Sequence, residues 1–275
     1  MAAAPETTAA GPVISIRDVV VSYNGQRVLD GINLDILHGE TMVLLGGSGS
    51  GKSTLLRQII GLERPQAGQI LVNGVDLAKC TVGELKKVRR SIGVAFQDTA
   101  LFNSMSVEDN VALALREHSQ LAESTIRLMT WMNLAVVGLQ KSGKLSPQAL
   151  SGGMRKRAAV ARAISLDPQI LVFDEPSAGL DPIVAAELDD LILGLKRAFD
   201  MTVVVVTHEM ASAFRIADRM AMLYKGSLIA VGTKEELQSS THPRIRQFFD
   251  RVPDKIADTA GIDEYVRQYL EGSTV

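Results

Sequence analysis

A glycine-rich segment that follows an apolar stretch constrains this chain more than any other feature. Residues 46–53 read Gly-Gly-Ser-Gly-Ser-Gly-Lys-Ser and come directly after the apolar run Met42-Val43-Leu44-Leu45. The segment matches the pattern G-x-x-x-x-G-K-[ST], in which a buried strand passes through a phosphate-binding loop into a helix. The helical spacing from Thr54 to Ile60 supplies that helix. The sequence therefore predicts a nucleotide-phosphate loop, with a plain glycine turn as the alternative.

The chemistry of such a loop assigns a role to each residue type. Glycines let backbone amides converge on an anion, and the helix N-terminus adds its partial positive charge. Lys52 would reach the β- and γ-phosphates, and Ser53 would offer its hydroxyl to Mg²⁺. The predicted nucleotide-binding residues of this segment are Gly46, Gly47, Ser48, Gly49, Ser50, Gly51, Lys52, Ser53 and Thr54.

Two adjacent carboxylates follow another apolar run, Ile170-Leu171-Val172-Phe173. Ligands of parallel sheets bind at the carboxyl ends of the strands, which is where Asp174 and Glu175 stand. We expect Asp174 to hold Mg²⁺ through a water and Glu175 to activate the hydrolytic water as a general base. A solvated acidic strand end before Pro176 is the alternative.

Composition excludes several classes of protein. The 275 residues are 46% hydrophobic, which excludes a disordered chain, yet no charge-free apolar run approaches the roughly 18–20 residues of a membrane span. The net charge of -2 gives no global attraction to nucleic acid, and we expect none as a partner. Cys80, the single cysteine, forms no intramolecular disulfide and fits a reducing compartment. Residues 1–12 lack the basic start and apolar core of a signal peptide and are predicted to be a disordered lead.

Hydrophobic periodicity predicts an α/β fold with three parts. Alternation at period two near Ile14 to Arg17 and Ile32 to Ile36 predicts an antiparallel β lobe, while the continuous apolar runs predict a parallel sheet covered on both faces. From about Met105 to Leu150 the spacing is helical without a strand pattern. A hairpin is predicted from Ala221 to Val231 across Lys225-Gly226-Ser227, and Thr233 with Glu236 forms a capping box.

A second glycine-rich helix start occurs about a hundred residues after the first. Ser151 is a good N-cap, and Gly152 and Gly153 leave the amides of the next helix open to a second anion. Leu150 to Met154 resembles the LSGGQ signature of the ATP-binding cassette (ABC) ATPases, and six motifs follow that family's order from about Val13 to Gln238. The resemblance implies a RecA-like parallel core, an antiparallel β lobe and a helical insertion subdomain at about 105–165. It also implies an active dimer, because the signature of one protomer closes over the phosphates held by the other.

The family resemblance adds further site residues. Tyr23 matches the aromatic residue that stacks on adenine, although a strand-end tyrosine is the alternative. Gln97 resembles the Q-loop glutamine that touches Mg²⁺ and water, and Asp181 resembles the D-loop residue that links the two protomers. His208, after the run Val203 to Val206, matches the switch histidine at the γ-phosphate; alone it would fit a capping or buried histidine. The implied catalytic residues are Glu175, His208 and Gln97, and the implied Mg²⁺ ligands are Ser53, Gln97 and Asp174.

A narrower resemblance rests on three short stretches. Met154 replaces the usual glutamine and cannot make the hydrogen bonds of an amide. Together with residues 116–121 and 242–249, it is similar to the ATPase subunits of MCE-type lipid transporters, especially the maintenance-of-lipid-asymmetry (Mla) system. That resemblance implies phospholipid transport across the Gram-negative envelope, driven by ATP at the cytoplasmic face of the inner membrane. The implied partners are a second copy of the chain, a transmembrane permease dimer, an MCE-domain protein and a STAS-domain protein.

Three alternative functions remain open at this point, and the C-terminal segment is predicted to form an extension of the ATPase domain. An ABC transporter for another substrate shares every motif named above. A soluble ABC protein that acts on ribosomes or DNA, or a small-molecule P-loop kinase, shares some of them. We expect the ATPase domain to span 13–240 and a helical extension to span 241–275. Tyr265, Val266, Tyr269 and Leu270 give that extension helical spacing, and it packs either on the other protomer or on its own core.

Overall fold

The computed structural model describes residues 11–253. These residues fall into two compact units, one ending at Ser239 and the other beginning at Ser240. The predicted disordered lead lies outside the described residues except for Gly11 and Pro12, and the helical spacing around Tyr265 to Leu270 lies wholly outside them. Within residues 11–253 no helix combines the length and apolar character that a membrane-spanning segment needs.

The first unit begins with a four-stranded antiparallel sheet, as the period-two alternation predicts. Its spatial order is β2-β1-β4-β5. The inward faces of β1 and β2 bury Ile14, Ile16, Leu34 and Ile36, which gives the alternating pattern its physical meaning. The strands are β1 (Ile14–Tyr23), β2 (Gln26–Ile36), β4 (Ala67–Val72) and β5 (Val75–Asp76).

A six-stranded sheet forms the centre of this unit, with the order β10-β9-β3-β8-β7-β6. The strands from β9 to β6 run parallel, and only the edge strand β10 is antiparallel to its neighbour. Every residue of β3 and β8 is buried, as expected for strands covered on both faces. The strands are β3 (Thr41–Leu45), β6 (Ile92–Ala95), β7 (Ile170–Asp174), β8 (Thr202–Val206), β9 (Arg219–Tyr224) and β10 (Ser227–Thr233).

Helices connect the strands, and most begin at a side-chain cap. Ser106, Ser151 and Asp181 each accept a backbone N–H of the following turn, and Thr233 with Glu236 forms the predicted capping box. The helices are α1 (Lys52–Ile59), α2 (Val82–Arg90), α3 (Val107–His118), α4 (Glu123–Val136), α5 (Gly152–Ala163), α6 (Pro182–Phe199), α7 (Met210–Ile216) and α8 (Lys234–Gln238).

The helical region predicted from Met105 to Leu150 contains α3, α4 and one 3₁₀ turn, Pro147–Ala149, and no strand. Ala112, Leu115 and Ile126 form a small apolar core there. The predicted hairpin is also present as β9 and β10, but its turn is shorter than predicted. Ser227 pairs with Tyr224 in the ladder, so only Lys225 and Gly226 form the turn, and both have positive φ.

The second unit contributes one helix to the described residues, α9 (Pro243–Phe249). It begins at Pro243, as predicted, because proline lacks the N–H that the first helical position leaves unpaired. The Nδ1 atom of His242 accepts the amide of Arg244, and Arg246 forms an ion pair with Asp250 one turn later. These local bonds support a short amphipathic helix.

Candidate nucleotide site

Four segments that carry predicted site residues follow neighbouring parallel strands. The sheet order places β3, β8, β7 and β6 side by side. The glycine-rich loop follows β3, His208 follows β8, Glu175 follows β7 and Gln97 follows β6. Because the carboxyl ends of parallel strands share one edge of the sheet, these four segments emerge along the same edge.

The backbone of the glycine-rich loop needs glycine at two positions. Gly46 has a φ of 151° and Gly51 a φ of 105°, which residues with a Cβ rarely adopt. A Cβ at Gly46 would lie 2.4 Å from the carbonyl oxygen of Leu223, and one at Gly51 would lie 2.7 Å from Cδ2 of Leu29. The loop then enters α1 at Lys52, two residues earlier than the spacing predicts.

Backbone carbonyls of the glycine-rich loop hold the side chain of Lys52 over that loop. Its Nζ atom donates to the carbonyls of Gly46 at 2.8 Å and Gly47 at 3.0 Å. Burial lowers the pKa of Lys52, while the nearby carboxylates of Glu175 and Asp174 act in the opposite direction. The loop therefore presents a desolvated cation beside two acids. Ser53, on the first turn of α1, is exposed.

Asp174 and Glu175 form the acidic side of the site. Asp174 pairs with Val206 at the end of β7, and burial raises the pKa of its carboxyl, with the charge of Glu175 adding to the effect. The Oδ1 atom of Asp174 is buried without a hydrogen-bond donor. Glu175 has a left-handed backbone, with a φ of 48°, which costs a non-glycine residue about 1–2 kcal/mol.

His208 and Glu175 are in direct contact. Nδ1 of His208 lies 2.9 Å from Oε1 of Glu175, and the amide of His208 donates to Oε2 at 3.3 Å. The histidine ring is 56% exposed, whereas the glutamate side chain is 11% exposed. The carboxylate of Glu175 is therefore buried, and its partner, the ring of His208, lies on the solvent side.

The structure adds one residue that the sequence reasoning missed, Lys156 of α5. Its Nζ atom donates to the carbonyls of Gln97 and Glu175 and so joins two predicted site segments. A signal existed in the sequence, because Lys156 stands at helical spacing with Ala159, Val160 and Ala163 on the buried face of α5. A cation on an apolar helix face requires a partner in the interior.

The second glycine-rich helix start packs against the start of α6. A Cβ on Gly153 would lie 2.6 Å from Cγ1 of Val184, and Oγ of Ser151 accepts the amide of Met154 at 3.3 Å. Asp181 caps α6 by accepting the amides of Ile183 and Val184. Within residues 11–253 no hydrogen bond or ion pair joins Ser151, Gly152 or Gly153 to the loop at 46–53.

Tyr23 ends β1 beside α1, the helix that follows the glycine-rich loop. Its hydroxyl donates to the carboxylate of Glu63, and this hydrogen bond is the main reason why the pKa of Tyr23 is raised. Tyr23 is 39% exposed, so part of its surface is accessible to a ligand.

The residues present fit a magnesium ion. Mg²⁺ prefers oxygen ligands and takes only one or two carboxylates from the protein, completing its shell with phosphates and water. The unpartnered Oδ1 of Asp174 and the exposed hydroxyl of Ser53 are oxygens of this kind. Among residues 11–253 no cluster of three or more His, Cys, Asp or Glu side chains could hold a metal by itself. These residues therefore fit an ion that takes part of its ligands from the phosphates of a nucleotide.

Comparison with known proteins adds independent evidence. The family model described as "ABC transporter" matches residues 29–178. The probable ribonucleotide transport ATP-binding protein mkl of Mycobacterium leprae is 44% identical over 87% of this chain and 69% of its own length. The intermembrane phospholipid transport system ATP-binding protein MlaF of Escherichia coli K12 is 40% identical over 88% of this chain and 90% of its own length.

A solved structure gives the same result for the fold. A dimeric ATP-binding cassette in a post-hydrolysis state, bound to ADP and Pi, has a TM-score of 0.74 and 29% identity over 80% of this chain and 98% of its own. The parallel sheet, the antiparallel sheet and the helical region thus form the arrangement of a known nucleotide-binding domain.

Proposed function

Because this chain belongs to the ABC transporter family of ATP-binding domains, we propose that it powers an ABC transporter that moves phospholipid across a Gram-negative envelope. The observation that carries the proposal is the extent of the similarity to MlaF, which reaches 90% of that protein's length at 40% identity. The mkl protein is slightly more identical, and its name favours ribonucleotide as the second candidate substrate. However, this chain accounts for only 69% of mkl.

ATP binding begins at the glycine-rich loop. The amides at the start of α1 and the ammonium of Lys52 face an anion with donors and positive charge. Lys52 already has its donors directed at loop carbonyls, and phosphate oxygens are better acceptors for an ammonium than neutral carbonyls are. Tyr23 supplies the exposed ring for adenine.

Ser53, Gln97 and Asp174 are the residues that would hold Mg²⁺, which supplies positive charge next to the phosphates when it is bound. For Asp174 the ion would also compensate the burial that disfavours its carboxylate. The raised pKa of Asp174 is therefore consistent with a residue whose ionised form is stabilised by a bound cation.

Hydrolysis depends on Glu175 and His208. Glu175 takes a proton from the attacking water as a general base, and His208 orients the carboxylate through its contacts with both oxygens. We assign the exposed ring of His208 to the γ-phosphate. Lys52 stabilises the charge that develops on the transferred phosphoryl group.

The glycine-rich start of α5 requires a second copy of the chain to form a nucleotide site. Ser151, Gly152 and Gly153 contact no loop residue of their own protomer through a hydrogen bond among residues 11–253, so we assign them to the nucleotide of the partner. Asp181, next to this surface at the start of α6, links the two sites. The solved cassette with ADP and Pi is itself dimeric. Met154 contributes packing where an amide would hydrogen-bond.

Transport requires membrane-embedded partners. We propose a permease dimer, an MCE-domain protein and a STAS-domain protein, with this chain held at the cytoplasmic face of the inner membrane. Phe102, in the segment after Gln97, is 51% exposed and provides apolar surface for a permease contact.

The substrate is tested by reconstitution. The chain is coexpressed with a candidate permease, and the copurified complex is placed in liposomes that contain labelled phospholipid. We expect ATP-dependent phospholipid transfer that Glu175→Gln abolishes. ATP-dependent uptake of labelled ribonucleotide without phospholipid transfer would establish the second candidate and exclude the first.

A further inference from the structure

Helix α5 directs two cations toward the segment that contains Gln97. Lys156 is 9% exposed, and its Nζ atom donates to the carbonyl of Gln97 at 2.7 Å and to that of Glu175 at 3.1 Å. Arg162, six residues later, donates to the carbonyls of Thr99 at 2.8 Å and Ala100 at 2.6 Å. One helix therefore holds the segment 97–100 at both ends and also reaches the backbone of Glu175.

Three of the four carbonyls that these cations hold belong to residues with an unfavourable backbone conformation. Thr99 and Ala100 have φ values of 61° and 49°, and Glu175 has a φ of 48°. Residues with a Cβ avoid this left-handed region unless the surroundings determine it. Charge-assisted hydrogen bonds from buried cations are strong enough to do so.

The charges around Lys156 explain how an ammonium is kept in the interior. Burial lowers the pKa of Lys156, and the carboxylates of Asp98, Asp174 and Glu175 oppose that effect. An uncharged amine would offer fewer donors for its two carbonyl partners, so the acids around the site and the cation stabilise each other.

We propose that Lys156 is a positioning residue that fixes Gln97 and Glu175 relative to each other and links both to the helix that starts at Ser151. The proposal rests on the proposed ATPase site. Because Ser151 to Gly153 are assigned to the nucleotide of the partner protomer, Lys156 connects the occupancy of one site with the geometry of the other. No other side chain among residues 11–253 donates a hydrogen bond to both Gln97 and Glu175.

The test uses Lys156→Met, Lys156→Arg and the control Lys87→Met, which alters an exposed helical lysine. Methionine keeps the length of the side chain without donors, and arginine restores charge and donors. We expect Lys156→Met to lower kcat for ATP by about tenfold or more with the Kd for ATP unchanged. Arginine should recover part of kcat, and the control should match the wild type.

Hydrogen exchange without nucleotide provides a readout that does not depend on activity. We expect amides at 97–100 and 175–178 to exchange several times faster in Lys156→Met than in the wild type, while those of β3 stay protected. If Lys156→Met does not fold, Lys156→Gln, which keeps one amide donor, must show the same local change.

Unchanged exchange in those segments would overturn the proposal, and so would a loss of kcat that arginine does not recover at all. Equal losses of kcat and ATP affinity would also overturn it, because they would indicate general damage. Failure of the wild type to hydrolyse ATP would instead contradict the proposed function, and hydrogen exchange would still decide the role of Lys156.

Discussion

His208 contacts both carboxylate oxygens of Glu175, one through its ring nitrogen Nδ1 and the other through its backbone amide. Because an ionised carboxylate only accepts hydrogen bonds, the ring bond requires a proton on Nδ1. A neutral ring then has no proton on Nε2, and only the imidazolium could donate to Glu175 and a phosphate together. The charge state of His208 therefore determines whether it can serve both groups.

Replacing Glu175 by glutamine should separate binding from hydrolysis. The amide cannot accept a proton from water, so we expect kcat to fall by about 10²-fold or more while ATP affinity remains. Steady-state ATPase assays and a fluorescent-nucleotide titration measure the two quantities. The variant should also accumulate as an ATP-bound dimer in size-exclusion chromatography. Glu117→Gln, an exposed helical substitution, serves as the control, and near-wild-type kcat in Glu175→Gln would disprove the general-base role.

Removal of the His208 ring should reduce turnover without preventing ATP binding. In His208→Ala the carboxylate of Glu175 loses one of its two contacts, and we expect kcat to fall by about tenfold or more. Asparagine carries an amide nitrogen near the position of Nδ1 and should restore part of the rate. An equal rate in His208→Ala and the wild type would show that the contact has no role in turnover.

Truncation of Lys52 to alanine should weaken nucleotide binding. Hydrogen bonds to charged groups are worth about 1.5–3 kcal/mol, which corresponds to a loss of affinity of about tenfold to a hundredfold. Isothermal titration with ATP measures this change, and Lys87→Ala provides an exposed lysine for comparison. Tight ATP binding by Lys52→Ala would contradict the assignment of the loop.

Two neighbouring glycines should respond differently to alanine. In Gly46→Ala the new Cβ would meet the carbonyl of Leu223, and we expect overpacking to lower the free energy of unfolding by about 1–3 kcal/mol. Gly47 has no atom within 4 Å of its Cβ position and no positive φ, so Gly47→Ala should melt near the wild-type temperature. Thermal melts compare the two variants. If both melt at the same temperature, the close approach between Gly46 and the carbonyl of Leu223 is refuted.

Asp174→Asn should stabilise the protein at neutral pH and abolish Mg²⁺-dependent hydrolysis. Burial raises the pKa of Asp174 in the folded state, so ionisation at neutral pH opposes folding, and the asparagine removes that cost. The sign follows from linkage. The gain is complete above the folded-state pKa, and it disappears as the pH falls below about 4, where the carboxyl is protonated in both the folded and the unfolded chain. Melts without Mg²⁺ and nucleotide measure it, and a lower Tm of the variant at pH 7 would contradict the burial argument.

Local patterns predicted most of the secondary structure. The apolar runs, the period-two alternation and the capping box of Thr233 with Glu236 each depend on residues within one element, and the structure contains them all. The differences are small and concern ends: α1 begins at Lys52 rather than Thr54, and the turn of the hairpin contains two residues rather than three. The ends shifted because caps and tertiary pairing, rather than periodicity, set where an element stops.

By itself, the sequence determined the fold class and the chemistry available at the site, because a strand, a glycine-rich loop and a helix form a local unit with a local signature. Only the tertiary structure decided which distant residues meet. The order of β3, β8, β7 and β6 brought His208 to Glu175, and the packing of α5 brought Lys156 to the carbonyls of Gln97 and Glu175. Such contacts join residues up to 59 positions apart. The helical spacing of Lys156 indicates a buried lysine, but no local pattern identifies backbone carbonyls elsewhere in the fold as its partners.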